Sequence, residues 1–529
     1  MKMLELMGWA CALAPSALMS LAALLSFAGR RTAGSYWKQF NFLSAFALLP
    51  AAIAVALLFY SPTGAWSPLA DWLAVGPLGA CMALLVQLLA TVIGTFSARY
   101  LYAEQGQSRY IAALAAVLAA VHALLLANHW LVLIVSWCLT GAALQHLLCF
   151  YRDRPFAMLA AHKKRIADML ADALLLCAAT LAWRTVGSGS FSALWQQLAY
   201  ESGVPLALQV SAVCLVLAVV VRTALLPMHG WLIQVMEAPT PVSALLHAGV
   251  VNLGGYVLIR FAPLLDHTTA ARSLLVAFGA TTTFLAGLVV LTRTSVKVRL
   301  AWSTVAQMGF MLLECGLGLY TMAALHLIGH SLYKAHAFLS ASMVVEESRL
   351  KNMRGQSPHS KFSLTLAPPL AVSSVALVQL YVAHAAWPWW WSGVLALAWA
   401  PIFWVPGGRN GDKWAVLRQV VTAWVMAAGL TGAASIAHAL PLGVFDAPND
   451  LAGVLVLVGM VAMYLCLVVL QVRPEWLHTW RRWSYAGFYM DEFHTRLALR
   501  YWPTRWTPAA ANRLDKRTIT RPAMPASVE

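Results

Sequence analysis

Charge is scarce in this chain. Asp, Glu, Lys and Arg make up 11% of its 529 residues, and only 20 residues are acidic. A soluble domain carries roughly 25% charged residues to cover its surface, so a soluble fold is excluded. Paired cysteines are missing too. The eight cysteines (Cys11, Cys81, Cys138, Cys149, Cys177, Cys214, Cys315 and Cys466) stand singly, and no CxxC occurs. That excludes the closely spaced thiolates of an iron–sulfur cluster or a structural zinc site. No cleavable leader is expected. Met1 to Phe27 is apolar apart from Lys2 and Glu5, without a small-residue cleavage site before the next apolar run. What is abundant is hydrocarbon: 61% of residues are hydrophobic and the mean hydropathy is +0.71. This is the composition of a polytopic membrane protein. Its net charge of +16 (36 basic minus 20 acidic) reads first as membrane topology rather than nucleic-acid binding.

Fifteen apolar segments follow one another. They centre near residues 15, 50, 86, 118, 140, 176, 215, 252, 281, 308, 335, 373, 397, 427 and 461. The expected fold is an all-α membrane protein of about 13–15 transmembrane helices, some of them broken. Basic residues test the layout. Alternate loops hold Arg30, Arg31 and Lys38; Arg99 and Arg109; Arg152, Arg154, Lys163, Lys164 and Arg165; Arg293, Lys297 and Arg299; Arg349, Lys351, Arg354 and Lys361; then Arg409 and Lys413. The intervening loops carry almost none beyond Arg184 and Arg272. The asymmetry predicts an outside N-terminus and a cytoplasmic C-terminus. It also separates a transmembrane domain, 1–472, from a basic tail, 473–529.

The middle of the chain departs from plain apolar helix. Between Arg222 and Arg260 stand His229, Glu237 and His247, with Pro227, Pro239 and Pro241. Broken helices persist at membrane depth only against protein or a cavity, and ionisable groups there mark ion paths. A solvated loop between two spans is the plainer alternative. Further on, His326, His330 and Lys334 fall at i, i+4 and i+8, one stripe of one helix. Histidine titrates near neutrality and a buried lysine can be drawn toward it, so the stripe suits stepwise proton transfer. Histidines bonded to helix carbonyls also fit it. His-x3-His is a metal-ligand spacing as well, though no third ligand is evident. Glu314, in the preceding span, is a possible partner.

The segment EAPTPVSALLH, Glu237 to His247, resembles the signature of the proton-translocating antiporter-like subunits. That family includes the L, M and N subunits of respiratory complex I and the large subunits of multisubunit sodium/proton antiporters. The stretch from Ser295 to Ser342 is similar to it as well, and the likeness covers about residues 75–350. The resemblance implies an ion path through Asp168, Lys297 and His247, continued by His326, His330 and Lys334. Two departures matter. The family has glutamate directly after Trp137, where Cys138 stands, and lysine where Arg222 stands. Arginine does not release its proton, so Arg222 is expected as a fixed charge facing Glu237 or Asp168. His146, eight residues after Cys138, is either a substitute proton carrier or a structural histidine. Asp168 and Asp172 share a helix face. They are either path carboxylates or carboxylates at a wet helix end, neutralised by Lys164 and Arg165. His229 sits near the break or faces a polar loop. After Lys361 the family pattern thins. Pro368 and Pro369 stand without the ionisable residue expected there, which implies a degenerate second half-channel.

The tail carries an amphipathic helix from about Asp491 to Pro503. Phe493, Leu497 and Tyr501 lie on one face, Arg496 and Arg500 on another, a pattern for the membrane surface or a partner. Beyond Thr507 the composition is that of a disordered segment. Taken with this tail, the two departures are similar to the membrane subunits of two-protein inorganic-carbon accumulation systems. That resemblance implies a bacterial inner-membrane location and a DabA-type partner, similar to a soluble zinc carbonic anhydrase, on the cytoplasmic face. It implies cation conduction, of protons foremost, coupled to hydration of carbon dioxide in the partner. No metal or other cofactor is expected in this chain; zinc belongs to the partner. Two alternatives stand: a subunit of a sodium/proton antiporter or respiratory or hydrogenase pump, and a non-conducting anchor for a soluble enzyme.

Overall fold

A chain segment in lipid has no water to bond, so its backbone must satisfy itself as helix, and about 20 residues rising 1.5 Å each cross the hydrocarbon layer. The structure is a computed structural model that describes residues 2–27, 32–60, 69, 71–200, 203–341, 344, 359–383, 387–406 and 413–504. Among the described residues, twelve helices are long and apolar enough to cross a membrane. In chain order the helices that build the site are α1 (Lys2–Phe27), α2 (Ala33–Tyr60), α3 (Pro77–Tyr100), α4 (Gln107–Leu126), α5 (Trp130–Leu148), α6 (Pro155–Val186), α7 (Phe191–Tyr200) and α8 (Leu206–Arg222). Next come α9 (Gly230–Gln234), α10 (Thr240–Ala248), α11 (Leu253–Arg260), α12 (Ala262–Asp266), α13 (Thr269–Val290), α14 (Val296–Leu317) and α15 (Tyr320–Leu339). Four more follow at Lys361–Val378, Trp389–Trp399, Lys413–His438 and Asp450–Val472. Each of the fifteen expected segments coincides with a helix or a broken pair. The helices α8 and Trp389–Trp399 are short, and α15 carries the polar stripe.

Core packing divides the bundle. One large apolar core joins α1 through α15, whereas Trp390, Trp391, Phe403 and Tyr464 belong to smaller clusters among the later helices. The helices α13 and α14 pack closely. A Cβ on Gly279 would lie 2.7 Å from the Leu313 amide nitrogen, and one on Gly309 would lie 2.9 Å from that of Thr283. Glycine at both contacts lets two backbones touch where lipid supplies no hydrophobic drive between helices.

The two ends of the bundle differ as the basic residues require. At one end Leu73 pairs with Ala127 and His129 with Ser190, while Arg260 donates to Asn128 at 3.0 Å. At the other, Tyr151 donates to Glu104 at 3.1 Å, His162 meets the Trp502 carbonyl at 3.0 Å and Arg293 lies over the Tyr485 ring. The loops after α3, α5 and α13 therefore share one end with the tail. Arg30, Arg31, Arg349, Lys351, Arg354, Arg409, most of the 62–71 loop and the segment beyond Thr507 lie outside the described residues. Pro368 and Pro369 sit inside one continuous helix.

Candidate functional site

The central stretch is broken twice. After α8 the chain leaves helical form, makes the single turn of α9 and a 3-10 turn at Val235–Glu237, then enters α10. Pro239 caps α10 and Pro241 lies in its first turn, where no amide is needed. Pro241 thus starts a helix rather than breaking one. A second interruption, which the proline pattern did not signal, falls at Gly249 and the 3-10 turn Val250–Asn252. The Asn252 amide donates to the Ala248 carbonyl at 3.0 Å and to Ser331 Oγ at 2.7 Å, satisfying a freed backbone group and tying the break to α15.

Facing this break is the polar stripe. His326 Nδ1 lies 2.8 Å from the buried Glu314 carboxylate, the partner expected for it. His326 and His330 stand edge-on, 6.1 Å between centroids. Lys334, 1% exposed, donates to the Leu300 carbonyl at 3.0 Å and to Ser303 Oγ. His247 is buried and stacks on Phe338 at 4.6 Å. Neither ring nitrogen of His247 or His330 has a hydrogen-bond partner among the described residues. These two histidines are therefore not held by helix carbonyls. Buried polar groups are ordinarily paired, so these four ring nitrogens stand out as unengaged. Lys297 Nζ donates to Thr240 Oγ1 at 3.0 Å, joining α14 to the start of α10.

A second cluster forms around Arg222. Its guanidinium donates to Asp172 and to the Trp137 carbonyl at 2.9 Å, lies 4.0 Å from Asp168 and stacks over the Trp137 ring. Asp168 in turn accepts from Lys164. Gly141 lets Asp168 approach α5: a Cβ there would stand 3.0 Å from its Oδ2. The carboxylates missing from α5 thus come from α6. Three expectations need correction. Glu237 is exposed and only its carbonyl is engaged, accepting from Arg154 at 2.9 Å, so it is not the counter-charge of Arg222. His146 is exposed on the last turn of α5, away from the cluster. Arg165 is exposed, leaving Lys164 alone to pair with Asp168.

His229 proves fully buried rather than facing a polar loop; its Nδ1 lies 3.3 Å from the Pro227 carbonyl. The tail helix, Met490–Tyr501, runs as expected, with Phe493, Leu497, Tyr501, Arg496 and Arg500 all exposed. Its inner face was not foreseen. Asp491, read only as a helix start, pairs with the wholly buried Lys163 of α6.

The NADH:quinone oxidoreductase/Mrp antiporter transmembrane family model matches residues 127–386, which contain both clusters. Among solved structures, an archaeal membrane-bound sulfane sulfur reductase chain aligns with a TM-score of 0.57 at 17% identity, over 93% of this chain and 99% of that one. This is a likeness of fold. The probable inorganic carbon transporter subunit DabB of Hydrogenovibrio crunogenus is 38% identical over 503 residues, 93% of this chain and 95% of the relative. DabB2 of Halothiobacillus neapolitanus is 34% identical over 82% of this chain and 80% of its own length. Identity of that extent along nearly the whole sequence means that the chain belongs to the DabB family of probable inorganic carbon transporter subunits, a branch of the antiporter-like membrane proteins.

Proposed function

We propose that the chain is the cation-conducting, proton-coupled membrane subunit of a two-protein inorganic-carbon accumulation complex. Protons enter through Asp168, His247, His330, His326 and Lys334, with Arg222 as a fixed charge. A DabA-type zinc partner, docked on the cytoplasmic face and tail, hydrates carbon dioxide to bicarbonate. The chain lies in the bacterial inner membrane with its N-terminus outside and its C-terminus in the cytoplasm, where segment 473–529 forms the docking region. The observation that carries this reading is the stripe: Glu314, His326, His330 and Lys334 follow one another along adjacent helices, next to an unpartnered His247. The names of its relatives support inorganic carbon as the cargo. The arrangement does not favour a passive anchor, which has no use for open imidazoles in its core. Hydration chemistry needs a metal to activate water at neutral pH, and the reading assigns that metal to the partner.

The test is Lys334→Ala. Removing the ammonium breaks the stripe while leaving the surrounding apolar packing. Growth that depends on carbon accumulation is lost, and the protein stays in the membrane at normal amount. Normal growth of this mutant on low carbon dioxide overturns the conducting role.

A further inference from the structure

Ionic groups that this path leaves unused gather where the tail helix meets the bundle. Lys163, buried on α6, donates to Asp491 and to Thr495 Oγ1 at 2.8 Å. Gln234 of α9 donates to the other Asp491 oxygen at 2.8 Å. Beneath them lies Gly230, where any Cβ would collide with the Asp491 carboxylate and stand 2.7 Å from Lys163 Nζ. The backbone is kept bare so that a charge carried by the tail can enter.

Two buried histidines flank this pair. His229 Nε2 and His494 Nδ1 have no hydrogen-bond partner among the described residues. The His229 ring packs on Trp302 at 4.8 Å between centroids. The next residue of α14, Ser303, is the one that bonds Lys334. The tail cluster and the stripe are thus joined through consecutive residues of one helix. A latch that only fastened the tail would need the ion pair. It would have no need of two open imidazoles beside it, since unpaired buried polar atoms weaken a contact.

We propose that the tail completes the ion path: Lys163 and Asp491 are a proton-exchanging pair at its tail-side end, linked by His229 toward Lys334. The inference rests on the conducting role given above. It makes conduction depend on tail docking, because Asp491 reaches Lys163 only from the docked helix. The opposite face of that helix, Phe493, Leu497 and Tyr501, is the exposed one, so a partner seated there is connected mechanically to a path residue.

The full-length protein, in its purified complex, is reconstituted into liposomes loaded with a pH-sensitive dye. Lys163→Arg keeps the ion pair but holds a proton that is not released. It is expected to slow proton flux on the order of a hundredfold while segment 473–490 stays protected from protease. Asp491→Glu retains more flux than Asp491→Asn. Lys334→Ala runs in parallel. Wild-type flux in Lys163→Arg with Lys334→Ala silent overturns the part assigned to the tail and leaves the stripe standing. Wild-type flux in both overturns the conducting role and this inference with it.

Discussion

Arg222 shows how one side chain changes the work of its neighbours. A lysine there is able to give up a proton, whereas the guanidinium stays charged. It spans Asp172 on α6 and the Trp137 carbonyl on α5 at once. With Arg222 fixed, it faces two carboxylates on α6, Asp172 and Asp168, and Asp168 also accepts from Lys164. The arginine's role is then electrostatic and geometric. Arg222→Ala leaves a partly buried carboxylate and a carbonyl without donors, at a cost of roughly 2–3 kcal/mol. Arg222→Lys keeps the charge near Asp172 and loses the second bond. The midpoint of thermal unfolding in detergent is expected to fall clearly for the alanine variant and less for the lysine. Equal falls would mean that charge at this position does not matter.

The tail helix is the element on which the account turns. Its buried side carries His494, Thr495 and Ala498, and Asp491 enters the bundle beside them. Burial pushes the His494 imidazole below its usual value, Lys163 pushes the same way and Asp491 opposes. A histidine with a lowered value in the docked state favours docking fully above its ordinary pKa of about 6.5. That contribution is lost as pH falls from there toward the lowered value, because the released tail binds the proton more readily. Protease cleavage in segment 473–490 is therefore expected to speed up at pH 5.5 relative to pH 7.5, and His494→Gln removes the difference. An unchanged pH response in His494→Gln would assign the effect elsewhere.

The fold is most legible in the sequence where one helix explains the pattern. The i, i+4, i+8 stripe and the fifteen apolar segments are local properties of the chain, so periodicity and hydropathy reveal them. Three features depend on contacts between distant segments, and local pattern does not carry those. Asp491 meets Lys163 across 328 positions. Arg222 turned from the nearby Glu237 to carboxylates on α6. The break at Gly249 is held by Ser331 of α15. His146, on the same helix as Cys138, is exposed in its last turn, which spacing alone does not reveal.

At the scale of the whole molecule, the polar groups form a band inside an apolar bundle. It runs from Glu314 along α15 to Lys334, and the proposed link through α14 extends it to the tail. On the proposed function, such a band makes an energy source available to a partner. One charge crossing 100 mV releases about 2.3 kcal/mol, enough to bias an equilibrium by roughly fiftyfold at about 1.4 kcal/mol per factor of ten. A passive hydratase gains nothing of this. The most direct test is bicarbonate accumulation in cells making this chain and its partner, measured before and after a protonophore in sodium-free medium. Inward proton flow as the driving force predicts that the accumulated bicarbonate collapses with the gradient. Accumulation that persists without proton or sodium gradients would contradict the coupling.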